Sequence, residues 1–315
     1  MTCGKSQTHP VIRKAFLLGA GLGTRLRPLT DLLPKPLVPL FHKPLVEWAM
    51  EACLDAGISD FAINTHHLAG KWSYAENEET GLSAGNGISP KKGIWRDATV
   101  RLFHEPDLLE TGGGIKNIEA WAAGESVLVH NGDIYSSIPL DRLIAAHEAS
   151  DCPVTLALRS QGDATHIALD GDRVIDIRGK LGVTEGTHVF TGIYCFDPEL
   201  FGMLPAGEKI SVSPAFLELA KQGRLGAIVL DEGEWRDLGD HPSYLAAHRE
   251  LSLAPPVHPE AVVHSSAVVE NSVVGPGAEI GGNAVVRDSV VWPGAVVPEG
   301  GRVSGEIVTG SLVHP

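Results

Sequence analysis

The sequence predicts an α/β fold, a mostly parallel sheet flanked by helices, followed by a short left-handed parallel β-helix. Three observations carry that expectation. A short apolar run, Ala15-Phe16-Leu17-Leu18, opens into glycines and is followed by a helix-spaced segment and a second apolar run. Apolar runs of strand length then recur as far as about residue 230. From Pro255 onward, aliphatic residues return at intervals of six, six and five.

Taken in order, Ala15–Leu18 is long enough for a buried strand and too short for a helix. Gly19, Gly21 and Gly23 follow within five residues, with Ala20, Thr24 and Arg25 among and after them. Residues 43–56 (KPLVEWAMEACLDA) carry helical spacing and end at Gly57, a C-terminal cap. Residues 60–65 (DFAINT) read as the next strand, which completes a βαβ unit and predicts a parallel, Rossmann-like sheet. The polar stretch 75–94 reads as a surface insertion, expected to be a plain loop. Further strands are expected at 99–104, 126–130, 154–159, 189–196 and 227–230. A helix is expected to start near His241, with Asp240 as its cap.

Val257, Val263, Val269, Val274, Ile280, Val286, Val291, Val297 and Val303 make a 17-residue coil of three steps. Small residues such as Ala261, Gly277 and Ala295 fill its corners. A hexad that returns to the interior three times per turn is the pattern of a parallel β-helix, here of about three coils. The expected division is an α/β domain over 1–250 and the β-helix over 251–315.

At 315 residues with 43% hydrophobic and 20% charged residues, the chain can bury a sizeable core. No apolar run approaches the ~20 residues of a membrane span, so no membrane partner is expected. The N-terminal MTCGKSQTHPVIRK lacks the apolar centre of a signal peptide, which predicts a cytoplasmic protein. Cys3, Cys53, Cys152 and Cys195 are scattered without a C-x-x-C pair, as reduced thiols are. A net charge of −14 argues against nonspecific nucleic-acid binding. Yet Lys5, Arg13, Lys14, Arg25, Arg27, Lys35 and Lys43 stand against Asp31 alone in residues 1–45. Cations concentrated around one glycine loop suit a small polyanion.

Closely spaced glycines let backbone N–H groups converge on an anion, and phosphate is the usual one. The loop lacks the third glycine of a dinucleotide fingerprint, because that position is Leu26. Gly4-Lys5-Ser6 has no strand before it and is no Walker A loop. Lys35 is braced by Pro34 and Pro36, which stiffen the backbone on both sides. Asp133 follows the apolar run 126–130, and a carboxylate at the tip of a parallel strand suits Mg²⁺.

Gly21-x-Gly23-Thr24-Arg25 followed by Pro34-Lys35-Pro36-Leu37-Val38-Pro39, with Gly112-Gly113-Gly114 and Trp235-x-Asp237-Leu238-Gly239, resembles the sugar-1-phosphate nucleotidyltransferases, or NDP-sugar pyrophosphorylases. The wording of 105–115 is similar to N-acetylmuramate-1-phosphate uridylyltransferases and to mannose-1-phosphate and heptose-1-phosphate guanylyltransferases. The resemblance covers nearly the whole chain and implies the nucleotide-diphospho-sugar transferase type of fold. It implies Mg²⁺-dependent joining of an NTP (GTP or UTP) to a sugar 1-phosphate, first in the mannose-1-phosphate guanylyltransferase manner and alternatively in the uridylyltransferase manner. By the resemblance, Arg25 and Lys35 are catalytic, and Asp133 and Asp237 hold the metal. Gly19, Ala20, Gly21, Gly23, Thr24, Glu105, Gly112 and Gly113 face the nucleotide, Glu105 at the place where relatives keep a base-reading side chain. Asn131, Gly132, Lys180, Thr191 and Gly192 face the sugar phosphate. The family's Glu-Lys-Pro is missing; Ile177-Arg178-Gly179-Lys180 stands there, so either Lys180 or Arg178 serves.

Two other classes compete. A catalytically silent scaffold would have lost motif residues, whereas Arg25, Lys35, Asp133 and Asp237 are all present. An acyltransferase would need more coils and a catalytic histidine inside the solenoid, and His258, His264 and His314 lie near its ends. The β-helix is expected to serve structure and assembly, leaving open a homo-oligomer built through it.

Overall fold

The computed structural model describes residues 12–74, 76–79, 86, 88–162 and 164–310. The chain forms two compact units. The first runs up to Gly21 and adds Ala49–Gly132 and Ser136–Trp235; the second comprises Leu22–Trp48, Asp133–Tyr135 and the chain from Arg236 on.

The first unit is built on an 11-stranded sheet. At its centre Lys14–Leu18 lies between Asp60–Thr65 and Val127–Asn131, parallel to both, as the βαβ pattern requires. Ala98–His104 extends the parallel part beyond Asp60–Thr65. On the other side Val189–Phe196 runs antiparallel to Val127–Asn131, and Val154–Arg159 runs antiparallel to Val189–Phe196. Leu225–Val229, Arg173–Ile177 and Ile167–Asp170 complete that edge. Strands buried on both faces read as apolar runs, and the largest core cluster gathers Phe16, Val129, Leu156, Tyr194, Phe196 and Phe216 with the flanking helices. The expected strands at 60–65, 154–159 and 189–196 appear with those limits.

The stretch 75–94 departs from the loop expectation. Lys91–Trp95 pairs antiparallel with Ala98–His104, and Glu76–Glu79 adds a further edge strand; residues 75, 80–85 and 87 lie outside the described ones. The cause is a hairpin whose turn places Arg96 at φ 52°. Glu76–Glu79 and Lys91–Trp95 are charge-rich in sequence, as strands toward a sheet edge are, so no apolar alternation announces them.

In the second unit the solenoid appears as three three-stranded parallel sheets. Every pairing advances 17 residues, as in Val263↔Ile280↔Val297 and Val269↔Val286↔Val303. The inward aliphatics share one core with Leu26, Leu29, Val38 and Tyr244. Trp292 Nε1 donates to the Tyr244 hydroxyl at 3.0 Å, which donates to Pro39 O at 2.5 Å. Tyr244 belongs to the helix His241–Glu250, capped by Asp240 as the sequence predicts: its carboxylate accepts from Ser243 N at 2.9 Å. Among the described residues, no helix is long and apolar enough to cross a membrane. Cys53, Cys152 and Cys195 are buried free thiols.

Candidate active site

In the second unit, Lys35 opens a short 3-10 turn, Lys35–Leu37, between its two prolines. Its ammonium donates to Asp133 Oδ2 at 2.9 Å and to Asp237 Oδ1 at 3.4 Å. Arg25 Nη2 stands 3.7 Å from Asp237 Oδ2, with its side chain 70% exposed. The sequence suggests a lysine in a solvated loop; instead Lys35 is only 5% exposed. Its aliphatic stem is covered while its charged head meets two carboxylates, which is how a buried lysine is accommodated.

Local rules bring these groups together. Gly23 has φ 61°, and a Cβ there would lie 2.8 Å from Thr30 Cγ2 and 3.1 Å from Lys35 Cβ. Thr30 Oγ1 donates to Gly23 O at 3.0 Å and ties the loop end to the segment before Lys35. Thr24 and Arg25 lie in the 3-10 turn Thr24–Leu26. Asp237 ends the short strand Trp235–Asp237, which pairs with Ile134–Ser136 directly after Asp133. That pairing brings the two carboxylates to one lysine.

Asp133 and Asp237 present only oxygen donors, and their side chains are 39% and 47% exposed. No group of three or more acidic, histidine or cysteine side chains with ligand geometry occurs among the described residues. Two half-open carboxylates fit Mg²⁺, which keeps waters and completes its shell with substrate phosphates rather than with an all-protein cage. Asp240, the neighbouring acid, is committed to its helix cap, and the Ser243 hydrogen bonds hold its carboxyl below the usual range.

The first unit carries the other end of the glycine loop. Gly19 N–H donates to Asn64 Oδ1 at 2.7 Å, and a Cβ on Gly19 would sit 2.7 Å from the Asn64 carbonyl oxygen. Ala20 is buried, while nothing lies within 4 Å of a Cβ on Gly21, so its backbone is open. Glu105, expected at a base-facing place, is a buried side chain here. It is 0% exposed and accepts from Asn64 Nδ2 at 2.8 Å and from Leu109 N at 3.0 Å. Burial pushes its carboxyl pKa up, against the Leu109 and Asn64 hydrogen bonds. The N–H groups of Gly112 and Gly113 both donate to Ile210 O, at 2.8 and 3.0 Å. A Cβ on Gly113 would come within 2.4 Å of Glu208 O.

Further along this unit is a cavity of about 250 Å³, which Asn131, Arg178 and Lys180 line together with Tyr194, Phe190 and Phe216. Arg178 and Lys180 therefore both line it. Gly192, at φ 79°, leaves room for Asn131, whose Nδ2 would lie 2.4 Å from a Cβ there. Gly132 N donates to Leu18 O at 3.0 Å. Thr191 turns into the core, donating to Ala157 O at 2.7 Å and standing 1% exposed, so its hydroxyl serves the sheet. Sequence reasoning missed Asn64 and Tyr194. A polar Asn inside the apolar strand DFAINT was the available signal for the first. The buried Tyr194 hydroxyl has no hydrogen-bond partner among the described residues, and only the fold reveals that.

The model of the family described as nucleotidyl transferase matches residues 14–253. The chain belongs to that family. This nucleotidyl transferase is 28% identical over 295 residues to the mannose-1-phosphate guanylyltransferase of Mycobacterium tuberculosis, covering 87% of this chain and 77% of that protein. It is 30% identical over 250 residues to the N-acetylmuramate alpha-1-phosphate uridylyltransferase of Caulobacter vibrioides, covering 76% of this chain and 97% of that protein. Among solved structures, a UDP-glucose pyrophosphorylase from Acinetobacter baumannii superposes with a TM-score of 0.61 at 19% identity, over 75% of this chain and 92% of that one. That likeness shows a shared fold.

Proposed function

We propose that this nucleotidyl transferase joins an NTP to a sugar 1-phosphate and releases pyrophosphate, with GTP and mannose 1-phosphate as the first pair. The observation that carries the reading is Lys35 held between Asp133 and Asp237 with Arg25 beside them. An oxygen of the sugar phosphate bonds to the α-phosphorus as the bond from that phosphorus to the β-phosphate oxygen breaks. A phosphate monoester is already an anionic nucleophile, so no general base is needed. The protein's work is to hold two mutually repelling anions in line.

In this reading the backbone N–H groups of Gly21 to Thr24 and the Arg25 guanidinium bind the triphosphate, with Gly19 and Ala20 shaping the loop. Lys35 donates to the phosphate oxygens that gain charge. Asp133 and Asp237 would hold Mg²⁺, which when bound neutralises phosphate charge. Asn131, Gly132, Gly192 and Lys180, with Arg178, orient the sugar phosphate. Residues 1–250 form the catalytic segment, 251–315 the β-helix that supports it and builds a homo-oligomer, and the protein works in the cytoplasm.

A second reading, uridylyl transfer to N-acetylmuramate 1-phosphate or another hexose 1-phosphate, is favoured by one observation. The cavity beside Asn131 and Lys180 is lined largely by apolar and aromatic side chains, including Leu156, Phe190 and Phe216. Such a lining suits a sugar with an apolar substituent. A pyrophosphate-release matrix of the common NTPs against a panel of sugar 1-phosphates tests both readings. Release with no pair would reject the activity and leave the silent-scaffold reading.

A further inference from the structure

We propose that Asn64 and Glu105 act as a positioning pair that sets the Gly19 end of the glycine loop, and that Glu105 does not read the nucleobase. The proposal rests on the reading above that this loop binds the triphosphate.

The bonding pattern leaves one arrangement. A backbone N–H only donates, so the Asn64 oxygen must face Gly19, at 2.7 Å. The Asn64 nitrogen is thereby turned to Glu105 Oε1, at 2.8 Å. The second carboxylate oxygen accepts from Leu109 N at 3.0 Å, immediately before the helix Glu110–Asn117. The Glu105 carbonyl oxygen is bonded by His66 Nδ1 at 2.7 Å. One carboxylate thus ties together the loop, the strand Asp60–Thr65 and the start of that helix.

No room is left for a base at this carboxylate. Glu105 is 0% exposed and Asn64 3%. A Cβ on Gly114 would lie 3.0 Å from Asn64 Nδ2 and 3.1 Å from Glu105 Oε1, so the helix backbone covers the pair. A buried carboxylate is costly unless its oxygens are satisfied, and here both have donors. What Glu105 transmits is the orientation of the Asn64 amide, and what Asn64 transmits is the position of Gly19.

The test is an exchange of donors and acceptors in the full chain. Glu105→Gln offers one acceptor to two donors and sets an NH₂ against either Asn64 or Leu109. Asn64→Asp sets two carboxylates against each other. In the double variant Asn64→Asp/Glu105→Gln, the new carboxylate at position 64 accepts from Gly19 and from the new amide at position 105, whose oxygen still accepts from Leu109. Every bond is restored at unchanged net charge. Two readouts are taken: amide hydrogen exchange at Gly19, and KM and kcat for GTP and UTP with the preferred sugar 1-phosphate. Each single variant should speed Gly19 exchange and raise KM for the NTP by about tenfold, the scale of one lost buried hydrogen bond. The ratio between GTP and UTP should not change, and the double variant should return both readouts to within about threefold of the parent.

A Glu105→Gln enzyme that switches base preference, unrescued by Asn64→Asp, would make Glu105 a base reader. Unchanged Gly19 exchange in both single variants would overturn the pair, as would a folded double variant without rescue. If the single variants fail to fold, a folded double variant supports the proposal and an unfolded one overturns it. Gly19 exchange reports on the pair even if no substrate combination releases pyrophosphate, so the failures of the two readings are distinguishable.

Discussion

Lys35→Met keeps the aliphatic stem of Lys35 and removes its ammonium, and two separable losses should follow. The first is in stability. Two charge-assisted hydrogen bonds go, at 2.9 and 3.4 Å. Hydrogen bonds to charged groups contribute about 1.5–3 kcal/mol when buried. The carboxylate side chains are 39% and 47% exposed, so water screens them and about 1 kcal/mol per bond is the fitting scale. The sum, about 2 kcal/mol, should lower Tm by about 3 °C in a chain of this size. Asp237 keeps Arg25, 3.7 Å away. Millimolar Mg²⁺ should therefore raise the Tm of the variant more than that of the parent, by mass action on the folded state. The second loss is catalytic: kcat/KM should fall about 10²-fold or more, the scale of a preorganised charge removed from a phosphoryl-transfer centre. Thermal melts with and without magnesium, beside pyrophosphate release, read both. A Lys35→Met protein with parental Tm and full activity would refute the reasoning for the lysine, and equal magnesium shifts would refute it for the carboxylates.

Asp133→Asn and Asp237→Asn should each abolish magnesium-dependent turnover in a folded protein, and the double variant should be little worse than either; independent, multiplicative losses in kcat would count against one shared site. Trp292→Ala should cost about 3–5 kcal/mol in chemical denaturation, since it opens the solenoid core and strips the Tyr244 hydroxyl of its donor. Truncation at Ala254 removes the partners of Leu26, Leu29, Val38 and Tyr244, so the shortened chain should melt earlier or precipitate; a soluble truncated chain with parental Tm and subunit number would contradict this. His248 accepts from Phe41 N through Nε2 at 3.0 Å, and burial lowers its pKa from 6.5 to about 4. Because the unfolded chain takes up that proton first, the stabilisation is complete above about pH 6.5 and is lost as pH falls toward 4, with about 2 kcal/mol gone by about pH 5. His248→Gln, which keeps an acceptor for Phe41, should flatten that part of the denaturant-midpoint profile relative to the parent.

Period and turn chemistry are local properties, and they were legible. A two-sided apolar strand such as DFAINT, the cap Asp240 with Ser243, and the 17-residue coil each follow from residues near one another in sequence. The motif residues Arg25, Lys35, Asp133 and Asp237 could also be named from sequence, through the segments around them that resemble the family's. Their environments could not. Lys35 meets Asp133 and Asp237 across 98 and 202 residues of chain, and only the pairing of Trp235–Asp237 with Ile134–Ser136 decides that all three converge. The charge-rich strands Glu76–Glu79 and Lys91–Trp95 were hidden for the opposite reason: strands toward a sheet edge bury too little to impose an apolar pattern. Glu105 shows the division most sharply. Its place in the family resemblance implied a group turned toward a ligand, yet burial is set by what the rest of the chain places around a residue. There the Asn64 amide, the Leu109 N–H and the Gly114 backbone enclose a carboxylate that nothing in its own neighbourhood of sequence marks as interior.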